Sequence, residues 1–248
     1  MRILLRVAYD GTEYCGWQIQ PDVTTIEGVL HDALENLYGH PVEIIGASRT
    51  DSGVHALGNV AVYDVESPIP AEKVSYALNA RLPKDIRIVQ SKEVPADFHP
   101  RHTDVVKTYE YQIYNHAFEN PLCSRYAYFV YGRIDLEQMK EASGYIIGEH
   151  DFTSFCSAGS QVEDKHRTVY SLDIEKNDKM ITIRITGNGF LYNMVRIIAG
   201  TLLKCGQGQM QPIDVKRAVE GCDRSLAGPT APALGLKLVE IKYRELME

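Results

Sequence analysis

Residues 46 to 59 read Gly-Ala-Ser-Arg-Thr-Asp-Ser-Gly-Val-His-Ala-Leu-Gly-Asn, and they place one carboxylate, Asp51, between two glycines. Apolar, β-branched runs flank this segment at residues 42–45 and 60–65, so the pattern predicts two strands joined by a tight loop. Rigid elements fix such a loop while its side chains stay exposed, which is typical of catalytic residues. An aspartate beside a glycine is more commonly part of an Asx turn, in which the carboxylate binds nearby backbone. Both interpretations fit the spacing.

The composition is that of a globular protein with an acidic balance. The chain has 248 residues, 44% of them hydrophobic, and its 33 acidic and 26 basic side chains give a net charge of −7. No apolar run approaches the roughly 18 residues of a membrane helix, and the N-terminus lacks the apolar core of a signal peptide. The five cysteines are odd in number and show no C-x-x-C spacing. This argues against a disulfide framework or a zinc site and favours the cytoplasm.

The order of elements predicts an α+β protein with two similar lobes, residues 1–105 and 106–248, and a seam near residues 97–106. Each half contains several strands and two helices, so we expect mixed or antiparallel sheets. The predicted strands cover residues 3–9, 42–45, 60–65, 86–89, 109–113, 169–175, 180–186 and 237–243. The predicted helices cover residues 25–37, 71–80, 136–147, 190–205 and 212–221.

Two features of the second half could serve chemistry. Arg196 is the one charged side chain in an otherwise apolar run, so it must pair with an acid or reach water. Tyr109 and Tyr111 alternate on a strand and share one face, where they either pack or present an aromatic ring to a base. Neither choice is decided by the pattern.

The segment at residues 98–102 mixes aromatic and basic side chains, and Lys107 follows it. Arg101 and Lys107 are therefore candidates for phosphate contacts, although a linker would show the same composition. His55 lies four residues after Asp51, but two local ligands do not make a metal site, and we interpret His55 as structural or close to the substrate.

Six motifs, in order along the chain, resemble those of the tRNA pseudouridine synthase A family. The segment around Asp51 is similar to the family's G-R-T-D-A-G-V-H-A signature. The others are Tyr9-Asp10-Gly11-Thr12 with Gly16-Trp17-Gln18-Ile19-Gln20, Lys107-Thr108-Tyr109-Glu110-Tyr111, Gly148-Glu149-His150-Asp151-Phe152, Gly187-Asn188-Gly189-Phe190-Leu191 with Met194-Val195-Arg196, and Thr230-Ala231-Pro232-Ala233 with Gly235-Leu236.

The resemblance implies a pseudouridine synthase fold, in which the sheets of the two lobes merge around a central catalytic cleft. It implies an isomerase that acts on uridines 38, 39 and 40 in the anticodon stem-loop of tRNA, as a homodimer and without metal or cofactor. Asp51 would be the nucleophile, Arg196 its ion-pair partner, and Tyr109 the contact to uracil and a possible base. Arg49 would flip the target base, since a stacked uridine hides its glycosidic carbon.

Two points stand against a simple transfer of that function. The acidic balance is unusual for an RNA-binding protein, so the cations must be focused in a cleft or stripe. Ser48, Ser52 and Asn59 also depart from the family pattern, and they put loop detail and target choice in doubt. The alternatives are a non-catalytic RNA-binding module on the same scaffold and a hydrolase that uses Asp51 with His55.

Overall fold

The computed structural model describes residues 1–102, 104–160 and 162–246, except for the side chain of Glu245. The chain divides into two compact units, residues 1–105 with 237–248 and residues 106–236. Thr103 in the predicted seam, and Met247 and Glu248 at the end of the predicted second lobe, lie outside the described residues. Among the described helices, none has the length and apolar character needed to span a membrane.

Helices and strands alternate irregularly along the described chain. The strands are β1 (Arg2–Tyr9), β2 (Ile45–Gly46), β3 (His55–Asp64), β4 (Ile86–Val94), β5 (Val105–Asn115), β6 (Tyr128–Val130), β7 (Gly148–Asp151), β8 (His166–Asn177), β9 (Met180–Gly187) and β10 (Leu236–Tyr243). The helices are α1 (Ile26–Tyr38), α2 (Val74–Asn79), α3 (Leu136–Gly144), α4 (Met194–Gly206) and α5 (Pro212–Gly221).

The first unit contains a mixed sheet in the order β4-β1-β3-β10. β1 pairs antiparallel with β3 and β4, whereas β10 runs parallel to β3, with Leu238 opposite Ala56. Helix α1 begins where the Thr25 hydroxyl accepts a hydrogen bond from the Gly28 backbone N–H, and it buries Leu30 and Leu34. α2 packs on β4 and contacts α1, so the helices and the sheet enclose one apolar core.

The second unit contains an antiparallel run of strands in the order β5-β9-β8-β7, and β6 pairs parallel with β5. Helix α4 is buried along most of its length, and α3 packs against it as well as against α5 and β8. Each unit therefore combines helices with a sheet of mixed direction, as the α+β pattern predicts.

Four details differ from the sequence-based expectations. Of the predicted strand at residues 42–45, only Ile45 pairs with β3, together with the following Gly46. The polar strand β7 carries no apolar alternation that would reveal it. Helix α4 begins at Met194 rather than at residue 190, because Asn193 has a left-handed backbone conformation that a helix does not accommodate. The segment from Lys237 onward, placed in the second lobe from its position in the chain, groups with the first unit because β10 pairs with β3.

Candidate active site

The loop that carries Asp51 runs from Ala47 to Val54, between β2 and β3. Its first residue is tied to β3, because the Ala47 backbone N–H donates to the Val60 carbonyl over 2.8 Å. The Val54 backbone N–H donates to the Asp51 carbonyl over 3.1 Å and closes a turn at the far end. The Asp51 side chain is half-buried. The loop therefore presents a carboxylate on a main chain that is held at both ends.

A second segment braces the Asp51 loop through its backbone. The Trp17 N–H donates to the Thr50 carbonyl over 3.0 Å, and the Gly53 N–H donates to the Tyr14 carbonyl over 3.2 Å. Gly16 lies between these contacts with φ at 84°, and a Cβ placed there would come within 2.7 Å of the Thr50 carbonyl oxygen. Only glycine combines this backbone conformation with so close an approach.

Asn59 on β3 supports the same loop from within the core. Its side chain is fully buried, and its Nδ2 donates to the Ser48 carbonyl over 3.0 Å and to the Tyr9 hydroxyl over 3.2 Å. The Tyr9 hydroxyl lies 2.7 Å from Oγ1 of Thr50. Asn59 Oδ1 accepts from the Val60 N–H, so both ends of this buried amide are satisfied. Residues 48 and 50 are thus fixed on either side of Arg49.

His55 fastens the loop to the end of β1. The Gly11 N–H donates to Nδ1 of the buried imidazole over 3.1 Å, and Oδ1 of Asp10 lies 3.1 Å from the same nitrogen. Gly11 itself is pressed against the loop, since a Cβ there would fall 2.0 Å from the Val54 carbonyl oxygen. These contacts give His55 a structural role. Within the described residues, no three histidine, cysteine, aspartate or glutamate side chains gather as metal ligands.

Two of the predicted RNA contacts lie on the same loop or at its base. Arg49 is exposed, and the exposed side chain of Arg101 donates through Nε to the Gly46 carbonyl over 2.7 Å. The rings of His99 and His102 are 4.0 Å apart beside Arg101. The pKa of His99 is lowered mainly by burial and, to a smaller extent, by the nearby positive charges of His102, Arg101 and Arg2. The structure therefore brings Arg49, Asp51 and Arg101 into one region of the first unit.

Lys107 and Tyr109 lie on β5 in the second unit. Lys107 is half-buried, whereas Tyr109 is only 7% exposed and packs edge-on against Phe190 with ring centroids 5.3 Å apart. Tyr111, two residues further, is fully buried, and its hydroxyl donates to the Pro232 carbonyl over 2.9 Å. Burial raises the pKa of Tyr111, while the positive charge of Arg196 acts in the opposite direction. The burial of Tyr111 and its bond to the Pro232 carbonyl therefore give it a structural role.

Arg196 lies in the first turn of α4 and is half-buried. Its Nε donates to the Ala231 carbonyl over 2.7 Å, and its Nη1 donates to Oδ1 of Asn193 over 2.7 Å. The guanidinium thus makes bonds within the protein rather than extending to water from a purely apolar helix face. Its plane is fixed by two anchors on different nitrogens.

The segment at residues 229–232 explains the motif near the C-terminus. Helix α4 approaches it closely at Gly200, where a Cβ would lie 1.9 Å from the Pro229 carbonyl oxygen. The Ala231 N–H also donates to the Arg196 carbonyl over 3.1 Å. Two consecutive carbonyls of this segment, those of Ala231 and Pro232, therefore hold Arg196 and Tyr111.

Asp51 belongs to the first unit and Arg196 and Tyr109 to the second, so the predicted ion pair stays a prediction. Three supporting groups escaped the sequence reasoning: the amide of Asn59, the amide of Asn193 and the carbonyl of Ala231. Asn59 was visible only as a departure from the family pattern. A main-chain carbonyl gives no side-chain signal at all.

Comparison with known proteins identifies the family to which the chain belongs. The family model described as tRNA pseudouridine synthase matches residues 6–102 and 142–244. A protein of Caldicellulosiruptor saccharolyticus named tRNA pseudouridine synthase A is 46% identical over 97% of this chain and 99% of its own length. The chain belongs to the tRNA pseudouridine synthase family. The resemblance found in the six motifs is thereby confirmed.

Two further relatives with the same name agree with that assignment. Proteins named tRNA pseudouridine synthase A from Brevibacillus brevis and a Thermoanaerobacter species are each 46% identical, over 98% and 97% of this chain and 99% of their own lengths. A crystal structure of a Cbf5-Nop10-Gar1 complex contains a similar chain, with a TM-score of 0.34 and 11% identity over 96% of this chain and 56% of that one.

The match to the tRNA pseudouridine synthase family covers most of the candidate residues. Arg49, Asp51 and Arg101 lie in the first matched range and Arg196 in the second, whereas Lys107 and Tyr109 fall between the two ranges. The expected roles of Lys107 and Tyr109 therefore rest on the motif that contains them.

Proposed function

We propose that this chain isomerises uridine to pseudouridine in tRNA. Membership of the tRNA pseudouridine synthase family supports the reaction class, and the observation that carries the proposal is the braced carboxylate loop around Asp51. A binding module has no need of a half-buried acid held by glycine contacts, a buried amide network and a histidine. Rigid placement of one reactive group is what catalysis requires.

In the proposed reaction Asp51 is the nucleophile. The glycosidic bond between N1 of uracil and C1′ of the ribose breaks, and a bond between C5 and C1′ forms. The hydrogen on C5 leaves as a proton, and N1 takes up a proton in its place. The carboxylate adds to a sugar or a pyrimidine carbon and is released again when the new bond is complete. No electrons are gained or lost overall, so the proposed scheme needs no oxidant or reductant.

Arg196 and Tyr109 assist Asp51 in this scheme. An ion pair with Arg196 keeps the carboxylate ionised in a partly buried site, since a nearby cation favours the charged form of an acid. The fixed guanidinium supports this role because it loses little freedom on pairing. Tyr109 contacts the uracil ring and serves as the base for the C5 proton in this proposal. Its edge-on packing against Phe190, which holds the phenol ring in place, supports that role.

The target is a flipped uridine at position 38, 39 or 40 in the anticodon stem-loop. Arg49 occupies the gap that the flipped base leaves, and Arg101 and Lys107 bind backbone phosphates. The exposure of Arg49 and Arg101 beside the Asp51 loop supports this arrangement. Their cationic charge is local in a chain whose net charge is −7, which limits non-specific binding to nucleic acid. We further propose that the enzyme works as a homodimer in the cytoplasm.

The test uses tRNA that carries tritium at C5 of uracil. The wild-type chain should release tritium to water and leave the RNA intact, and Asp51→Ala should abolish release while tRNA binding persists. The absence of release from any tRNA would favour a non-catalytic RNA-binding module. Free uracil and abasic sites would instead indicate a hydrolase, and release that survives Asp51→Ala would exclude Asp51 as the nucleophile.

A further inference from the structure

Asn193 has an unusual backbone for its position. It directly precedes helix α4 with φ at 60° and ψ at 7°, in the left-handed region that disfavours residues other than glycine. The described residues contain only three other non-glycine residues with positive φ, namely Asp22, Asp178 and Cys222. Backbone strain of this kind persists where the surroundings impose it, and it concentrates at functional sites.

The Asn193 side chain also does not do what an asparagine at a helix start usually does. At this position the side-chain oxygen normally accepts a bond from the second or third N–H of the helix. Asn193 makes no such capping bond. Its Oδ1 accepts from Nη1 of Arg196 over 2.7 Å, and its Nδ2 donates to Oγ of Ser157 over 2.9 Å. The amide is thus used to link two other side chains.

Ser157, which binds the Asn193 amide, is itself held in place by backbone contacts. The Ser157 N–H donates to the Tyr192 carbonyl over 3.1 Å, so the segment at Ser157 is bonded to the turn at residues 192–193 through both backbone and side chain. The preceding residues Phe155 and Cys156 are buried. The chain of contacts therefore runs from a packed part of the second unit through the amide to the guanidinium.

We infer that Asn193 is a positioning residue that sets the orientation of the Arg196 guanidinium. The Ala231 carbonyl holds Nε, and Asn193 holds Nη1, so the two anchors together determine the guanidinium plane. Removal of Asn193 would take away the anchor at Nη1 and weaken the constraint on the guanidinium plane. The catalytic consequence of this positioning rests on the proposed function, in which Arg196 pairs with the nucleophile.

The experiment compares Asn193→Gly with Asp178→Gly. Both replace a residue with a left-handed backbone by glycine, but Asp178 is an exposed hairpin residue in the turn between β8 and β9. Asn193→Gly should lower the single-turnover rate of tritium release by about 10- to 100-fold, because small misplacements of a catalytic group have effects of this size. The Kd for tRNA should stay within about twofold, and Asp178→Gly should leave both quantities unchanged.

Asn193→Asp separates positioning from a merely structural role. The aspartate keeps an oxygen for Arg196, but its charge competes for the guanidinium with the nucleophilic carboxylate. The acidic limb of the pH–rate profile should therefore move to higher pH, since a weaker cationic partner raises the pKa of the nucleophile. A helix-start residue without influence on Arg196 would leave that limb in place.

A readout independent of activity is the NMR spectrum of the Arg196 side chain, assigned with Arg196→Lys. Two anchors slow rotation of the guanidinium, so wild-type protein should give separate Nη signals that merge in Asn193→Gly. If those signals and the single-turnover rate are both unchanged in Asn193→Gly, the inference is wrong. If the signals merge in a protein whose wild type releases no tritium, Asn193 positions Arg196 and only the proposed function fails.

Discussion

The Asp51 loop and the Arg196 turn are stabilised in different ways. The loop is braced mainly through main-chain groups of Thr50, Asp51 and Gly53, with Asn59 acting from the core. Arg196 is braced at the charged group itself, through Nε and Nη1. A short carboxylate needs an accurately placed backbone, whereas a long guanidinium has several rotatable bonds and needs anchors at its end. The length of the side chain thus decides where the supporting contacts lie.

The largest effect is expected from Arg196→Met, which removes both anchored donors and the charge. The single-turnover rate should fall by about 10³-fold or more, because preorganised charge contributes a large part of catalysis. The Kd for tRNA should change little. Arg196→Lys keeps the charge without the forked geometry and should show an intermediate loss of about 10²-fold. Full activity of Arg196→Met would contradict an ion pair with Asp51.

Gly16→Ala tests the backbone bracing of the Asp51 loop. The added Cβ would meet the Thr50 carbonyl at 2.7 Å in a left-handed backbone, so the free energy of unfolding should fall by about 3 kcal/mol. Gly39→Ala is the matched control, since Gly39 has φ at 77° and open space around the Cβ position. It should cost about 1 kcal/mol from backbone strain alone. Urea unfolding measures both values.

Equal losses of unfolding free energy in Gly16→Ala and Gly39→Ala would show that the close approach of Gly16 to Thr50 does not contribute to the cost of the substitution. The rate of tritium release adds a second comparison. Gly16→Ala should reduce it, because the loop that carries Asp51 must shift to admit the methyl group, and Gly39→Ala should not.

The smallest effects are expected in the buried network around Asn59, from Asn59→Ala and Tyr9→Phe, and they also separate the two asparagines. Asn59→Ala removes the Nδ2 donor to the buried Ser48 carbonyl and Tyr9 hydroxyl, so the free energy of unfolding should fall by about 2 kcal/mol. Tyr9→Phe removes a hydroxyl from the same network and should cost about 1 kcal/mol. Asn193→Gly should change the rate of catalysis much more than the stability. A larger loss of stability in Asn193→Gly than in Asn59→Ala would contradict this assignment, in which Asn59 mainly stabilises the fold and Asn193 mainly positions a catalytic group.

Local patterns predicted the elements whose ends carry their own signals. Helix α5 begins at Pro212, after a capping box between Gln211 and Asp214, and ends at Gly221, as predicted. The start of α4 was wrong by four residues because the apolar pattern continues through residues 190–193, and nothing in it reveals the left-handed Asn193. The parallel pairing of β10 with β3 joins residues about 180 positions apart, beyond the reach of any local pattern.

The candidate site shows the same division. Motifs singled out Asp51, Arg49 and Arg196, because each is a charged group in a distinctive neighbourhood. They could not show that Arg196 is held by the Ala231 carbonyl, since main-chain acceptors are the same at every residue. The motifs also could not show that Asn193 bonds Arg196 through its amide oxygen and Ser157 through its amide nitrogen. These contacts depend on a backbone conformation that sequence patterns do not encode.

The pairing of β10 with β3 has a consequence for biosynthesis. The strand that follows the Asp51 loop gains its neighbour at His55 and Ala56 only when residues 237 and 238 have been made. At ordinary rates of translation, synthesis of the intervening second unit takes on the order of ten seconds. During that time the loop end of β3 is an open sheet edge on a nascent chain, and such edges invite pairing with other chains. The ribosome must therefore release the last strand before the sheet next to the Asp51 loop is complete.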